Sequence, residues 1–194
     1  MKLTNEFDVA APVQPTWDTL LDVPRVARAL PGASIEPGAE GGAWRGTMKI
    51  KLGPVTTDYT GAARLQDADE DERIATYRVQ GREARGQGSA AATITTRLAP
   101  RGDGTHVIVE TDLQVTGRQA QLGRNLMEDV AGAILGDFAG RLERELSGEA
   151  APDDDRAEAL DVSGAVRGAV AERAAVFAAG ALVGAAIGFA VGRR

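Results

Sequence analysis

Residues Thr111–Leu146, TDLQVTGRQAQLGRNLMEDVAGAILGDFAGRLEREL, change period partway along, and that change decides the fold. Up to Val115, the residues Val107, Val109, Thr111, Leu113 and Val115 alternate with His106, Ile108, Glu110, Asp112 and Gln114. A period of two marks a strand with one apolar face. From Gln119 to Leu146 the period becomes helical. Leu122, Leu126, Val130, Ile134, Phe138 and Leu142 recur at every fourth position, and Met127, Leu135 and Leu146 widen the stripe. A helix over this segment would be about 42 Å long. Arg141, Arg144 and Gly148 suit a basic last turn followed by a terminating glycine. Gly132, Gly136 and Gly140 form a ridge within the helix, each costing about 1 kcal/mol relative to alanine. The ridge either admits a close neighbour or reflects composition alone.

Upstream, the pattern is mostly of strands. Lys2–Val9 alternates, with Leu3, Asn5, Phe7 and Val9 on one face. Pro12 and Pro15 sit where a first helical turn tolerates proline, and Val13, Trp17, Leu20 and Leu21 make an apolar stripe, a short helix in which Trp17 is read as a structural anchor. Pro24 begins a second short helix through Val26 and Leu30, and Leu30-Pro31-Gly32 is a turn. Five strand-like runs follow: 43–52, 55–65, 74–79, 89–98 and 107–115. Gly53-Pro54, the acidic run Asp67–Glu72, a loop with Gly81, Gly86 and Gly88, and Arg101–Gly104 separate them. Short turns between successive strands predict an antiparallel meander, apolar on one side. Gly61, Ala63, Ala75, Ala90 and Ala92 fall on that side. Small side chains facing a helix leave volume that a core would otherwise fill.

The chain has 194 residues, 22 basic and 28 acidic, for a formal charge of −6. It contains no cysteine, one histidine and few aromatics. That excludes disulfides and thiolate metal sites, and disfavours histidine-pair metal sites and histidine acid–base chemistry. The acidic balance argues against nucleic acid as a partner. We expect no catalytic residues and no metal. His106 is read as a solvent-exposed strand residue, and Asp58, Glu83, Glu110 and Asp112 as lying on outward faces or loops. An enzyme would instead need an acid or base placed in the cavity.

Three segments are expected: a domain over 1–147, an acidic linker over 148–157 and a tail over 158–194. The linker carries Pro152 and Asp153–Asp155. In the tail, residues 158–172 read as a weak amphipathic helix. Ala174–Gly192, AAVFAAGALVGAAIGFAVG, has no charged residue between Arg173 and Arg193. As a helix these 19 residues cover about 28 Å, close to a bilayer's hydrocarbon thickness. Gly180, Gly184, Gly188 and Gly192 repeat at the small-xxx-small spacing. The tail is therefore expected to associate with a membrane, by spanning it or lying on it. Arg82, Arg85, Arg118 and Arg124 gather at one expected end, as a docking or headgroup surface or as ordinary surface arginines.

The segment TDLQVTGRQAQLGRNL, Thr111–Leu126, resembles the carbon monoxide dehydrogenase G-subunit (CoxG-like) family of the START-like (SRPBCC) helix-grip superfamily. Weaker likenesses are the opening strand with Pro12 and Trp17, then ALPGA at Ala29–Ala33, and LGPV at Leu52–Val55. Together they span the domain, not the tail. The resemblance implies an α+β helix-grip fold, a curved antiparallel sheet wrapped around a long C-terminal helix with an internal apolar cavity. It also implies association with a molybdenum-containing carbon monoxide dehydrogenase, in its maturation or its recruitment to the cytoplasmic face of the membrane. It supplies no catalytic residues; Gly117, Gln121 and Gly123 match the motif as shapers of the strand–helix junction. Cavity, tail and family together lead us to expect an accessory protein holding a hydrophobic ligand, a quinone such as menaquinone, with no covalent cofactor. Its ligand-binding residues are expected to be Met48, Tyr59, Tyr77, Ala90, Ala92, Leu113, Met127, Val130 and Ile134. A scaffold that carries no ligand is the alternative.

Overall fold

The computed structural model describes residues 1–38, 42–52, 55–117, 120–121, 123–148 and 160–161. The expected tail, apart from Leu160 and Asp161, and the expected linker beyond Gly148 lie outside them. Strand β1 (Lys2–Val9) leads into helices α1 (Val13–Leu21) and α2 (Val23–Ala29). Strands β2 (Ala33–Pro37), β3 (Trp44–Leu52), β4 (Val55–Asp69), β5 (Ile74–Glu83), β6 (Ser89–Arg101) and β7 (Gly104–Val115) follow, then helix α3 (Arg124–Ser147) and a short strand β8 (Leu160–Asp161).

Seven strands form one antiparallel sheet in the order β1-β7-β6-β5-β4-β3-β2, and β8 joins β3 in parallel. The sequence missed β2, a five-residue strand ending in Pro37 and offering too little alternation to be seen. It also placed Gly81 in a loop; Gly81 lies inside β5, directly opposite Gly61. α3 begins at Arg124, five residues later than its apolar period suggests. The start is set by backbone conformation: Gly117 and Gly123, at φ +82° and +80°, turn the chain between β7 and α3.

α3 runs alongside β1 and in the same direction. Arg124 Nη2 donates to the Lys2 carbonyl at 2.9 Å, and the Phe138 and Phe7 rings meet edge-on, 5.9 Å between centroids. Farther along, the Ala10 N–H donates to the Glu143 carboxylate at 2.7 Å. Gly132 sits nearest Asn5, but Gly136 and Gly140 face open space. The glycine ridge therefore has no close-packed neighbour among the described residues.

The main core lies at the end of the sheet where α3 finishes. Trp17, 1% exposed, packs there with Val9, Leu20, Ala75, Leu98, Val107, Phe138 and Leu142. The Arg73 guanidinium lies 5.5 Å from the centre of a Trp17 ring and donates to the Gln14 amide oxygen at 2.6 Å. Arg25 and Arg28 of α2 both pair with Glu145 of α3, at 3.1 and 2.7 Å. The hydrogen bond from Arg28 holds the Glu145 carboxyl below its ordinary pKa despite partial burial.

Candidate ligand-binding site

Residues opposite one another in an antiparallel sheet share a face, so the register reads out what the sheet presents to α3. One row is Leu65, Tyr77, Ile94 and Thr111; the next is Trp44, Ala63, Val79, Ala92 and Leu113. Beyond it comes Gly46, Gly61, Gly81, Ala90 and Val115, and then Met48, Tyr59 and Glu83. Side chains thus shrink midway across this face and grow again toward the α3 N-terminus.

The apolar side chains form two separate clusters, the main core and a smaller one. In the smaller, Val130 packs with Met48, Ile50, Leu126, Ala133 and Ile134. A Cβ placed on Gly81 would find Tyr59 and Thr60 as nearest neighbours, at 3.6 Å and beyond, rather than α3. Ala90 and Leu113, on the helix-facing side, are only half-buried. The small residues of the sheet lie between the two clusters, and side chains of that size leave room for a hollow beneath α3.

Two clefts open near it. One, of about 580 Å³, runs between α2 and the β2–β3 edge, and its lining includes Ala27, Arg28, Ile35, Trp44 and Met48. Met48 also belongs to the smaller cluster, so this cleft reaches that cluster from the side. The other, of about 440 Å³, lies at the end of the sheet beside the β5–β6 turn, lined by Arg82, Glu83, Gly86, Gln87, Gly88 and Ser89.

Of the nine expected binding residues, Met48, Val130 and Ile134 come together in the smaller cluster. Ala90, Ala92 and Leu113 occupy the middle of the sheet, and Met127, 9% exposed, faces inward from α3. The two tyrosines differ. Tyr77 packs against the main core, and its hydroxyl donates to the Leu20 carbonyl at 2.6 Å. Burial pushes its pKa up to about 12. Replacing Tyr77 with Phe should cost about 1 kcal/mol, since the Leu20 carbonyl loses its donor. Urea titration of the two proteins checks this, and equal midpoints would show that the bond contributes nothing. Tyr59 is half-buried at the other side of the hollow, beside Gly81. Burial, and then the charge of Glu83, raise its pKa.

Glu83 corrects one expectation. It is the last residue of β5 rather than part of a loop, and the register puts it on the same face as Tyr59 and Met48. Its carboxylate accepts from the Gly88 N–H at 3.2 Å and so braces the β5–β6 turn. His106 corrects another: it lies on the outer face, but its side chain is only 12% exposed. Its ring stands 2.8 Å from Asp8 and 3.5 Å from Glu6, and its hydrogen bond lowers the Asp8 pKa. The sequence also missed Ile35 and Trp44 in the side cleft and the helix-facing role of Gly81. Counting equal steps outward from the acidic turn brings Gly81 within one residue of Gly61. The bulge between Leu65 and Asp67 supplies the remaining step, and no local pattern marks it.

A curved antiparallel sheet closed by one long C-terminal helix defines the helix-grip class of protein. Within that class the assignment is specific: residues 6–147 match the pattern of the carbon monoxide dehydrogenase G subunit (CoxG), and the chain belongs to that family. Solved structures share the fold. A conserved protein from Geobacillus kaustophilus is 19% identical, with a TM-score of 0.64 over 76% of this chain and 96% of its own. A protein from Thermus thermophilus is 16% identical, with a TM-score of 0.55 over 78% of this chain and 100% of its own. No curated protein matches the sequence.

Proposed function

We propose that this chain is a non-catalytic accessory protein that holds an apolar or amphipathic small molecule in the hollow between its sheet and α3. The observation that carries this reading is the row Gly46–Gly61–Gly81–Ala90, whose missing or minimal side chains leave space on the helix-facing side of the sheet. Apolar walls on both sides exclude water, and a tyrosine at the margin offers a hydroxyl to a carbonyl. The family's name supports a carbon monoxide dehydrogenase-type molybdenum enzyme as partner. A redox enzyme makes a lipid-soluble electron carrier a suitable cargo, and we take a quinone such as menaquinone as that ligand. The uncharged stretch Ala174–Gly192 supports action at the cytoplasmic face of the membrane. Among the described residues, no helix is long and apolar enough to cross one.

Denaturing the purified chain and examining its organic extract by mass spectrometry tests the cargo. A co-purifying quinone or lipid, or saturable uptake of added menaquinone, is the expected result. An empty extract together with no uptake would leave a maturation factor or a scaffold without cargo.

A further inference from the structure

β3 is longer than the strand beside it. β2 covers one edge of β3 only as far as Met48, the partner of Ala33. Past that point the backbone of β3 is taken up by β8, with Ile50 opposite Leu160 and Lys51 opposite Asp161. The sequence places these two residues in an amphipathic helix. The structure makes them a strand because an uncovered sheet edge presents N–H and C=O groups that any passing extended chain satisfies.

The location of β8 matters more than its length. α3 ends beside the main core, at the end of the sheet that carries the acidic β4–β5 turn. β8 lies at the level of Ile50, which packs with Val130 some 17 residues back along α3, about 26 Å away. The chain between Gly148 and Leu160 is long enough to return that distance. Asp161, the last described residue, therefore lies at the end of the domain where α3 begins. The side chains there differ in charge from those opposite. Lys2, Lys49, Arg82, Arg85 and Arg124 lie toward this end, interspersed with Asp58, Glu83, Asp112 and Glu128, and Arg124 pairs with Glu128 at 2.7 Å. The β4–β5 turn at the opposite end carries Asp67, Asp69, Glu70, Asp71 and Glu72, followed by Arg73. Arg25, Arg28 and Arg101, also toward that end, are held in ion pairs with Glu145 and Asp8.

We infer that β8 orients the domain so that its α3 N-terminal end, with the β5–β6 turn and the adjoining hollow, faces an anionic lipid bilayer. This deepens the proposed function and rests on its membrane component. Three features converge on one end: Asp161, after which the tail continues in sequence, the interspersed basic side chains, and the β5–β6 turn beside the small-residue row. A cargo leaving the hollow at that end enters lipid without crossing the acidic turn. Anionic headgroups repel the acidic turn, and at the nearly balanced opposite end the interspersed basic side chains can meet them.

The absence of cysteine gives a direct test, because an introduced cysteine is a unique labelling site. The full chain is made with Gln87→Cys, in the β5–β6 turn, or with Asp103→Cys, in the β6–β7 turn at the other end. Each is labelled with a fluorophore and mixed with phosphatidylcholine–phosphatidylglycerol vesicles containing a doxyl-lipid quencher. We expect loss of fluorescence at position 87 and none at position 103. Leu160→Pro, which blocks strand pairing, should preserve vesicle binding but narrow the difference between the two labels. Equal quenching, or quenching at 103 alone, would overturn the orientation while leaving membrane association intact. An unchanged pattern in Leu160→Pro would remove the role given to β8. Failure of the full chain to bind vesicles would defeat both the orientation and the membrane part of the proposed function. A label at 87 that responds to truncation after Asp161 without vesicles would make the tail, not lipid, the occupant of this end.

Discussion

Alanine at position 61 is expected to destabilise the domain by about 3 kcal/mol, whereas alanine at position 81 should change stability by less than about 1 kcal/mol. The two glycines are cross-strand partners, and a reading of composition treats them alike. Their surroundings do not. A Cβ on Gly61 would overlap the Gln80 carbonyl oxygen and stand 2.7 Å from the Gly81 Cα. Both obstacles are backbone, so β4 and β5 must separate to admit a single methyl group. A Cβ on Gly81 meets Tyr59 at 3.6 Å and the Thr60 carbonyl oxygen at 3.7 Å, both ordinary contacts. Urea denaturation of the two variants measures the contrast directly. Similar midpoints would mean that the close approach at Gly61 relaxes at little cost, and the sheet would then not need glycine there.

The second large effect concerns binding. Ala90→Phe should reduce uptake of an apolar fluorophore or of added menaquinone by about tenfold or more, equivalent to about 1.4 kcal/mol. Ala90 is half-buried, pairs with Gly81 and Val115, and ends the small-residue row. A phenyl ring there occupies space rather than displacing a tightly packed neighbour, so the folded protein should keep its thermal midpoint within a few degrees. An Ala90→Phe variant that stays folded and binds as well as the parent would show that the cargo sits elsewhere, with the side cleft near Trp44 and Met48 the next place to look.

The sheet and the closing helix were legible because each keeps a single period over many residues. Lys2–Val9 and Val107–Val115 alternate without interruption, and the α3 stripe from Leu126 to Leu142 spans several turns. Periodicity failed where other forces chose the structure. The α3 start is fixed by two glycines in the left-handed region, which a count of apolar positions does not register. β2 and β8 exist because β3 has an edge to cover, a tertiary requirement that leaves almost no local signal. The candidate site was half legible. Met48, Val130 and Ile134 were found as members of apolar faces, and they meet. Tyr59 and Tyr77 looked equivalent, since nothing local distinguishes a hydroxyl aimed at the Leu20 carbonyl from one beside the hollow. Trp44 and Ile35 were missed as lining residues because the side cleft depends on where α2 comes to rest against β2 and β3.

The short pairing of Leu160 and Asp161 with β3 has one more consequence. A version of this protein ending at Ser147 keeps every residue of the family's domain, yet it exposes the backbone of Ile50 and Lys51 beside the end of β2. That restores an open edge of the kind through which identical molecules join strand to strand. Shortening the chain to obtain a simpler, better-behaved domain would thereby exchange an intramolecular neighbour for an intermolecular one. The place to end a shortened version is after Asp161.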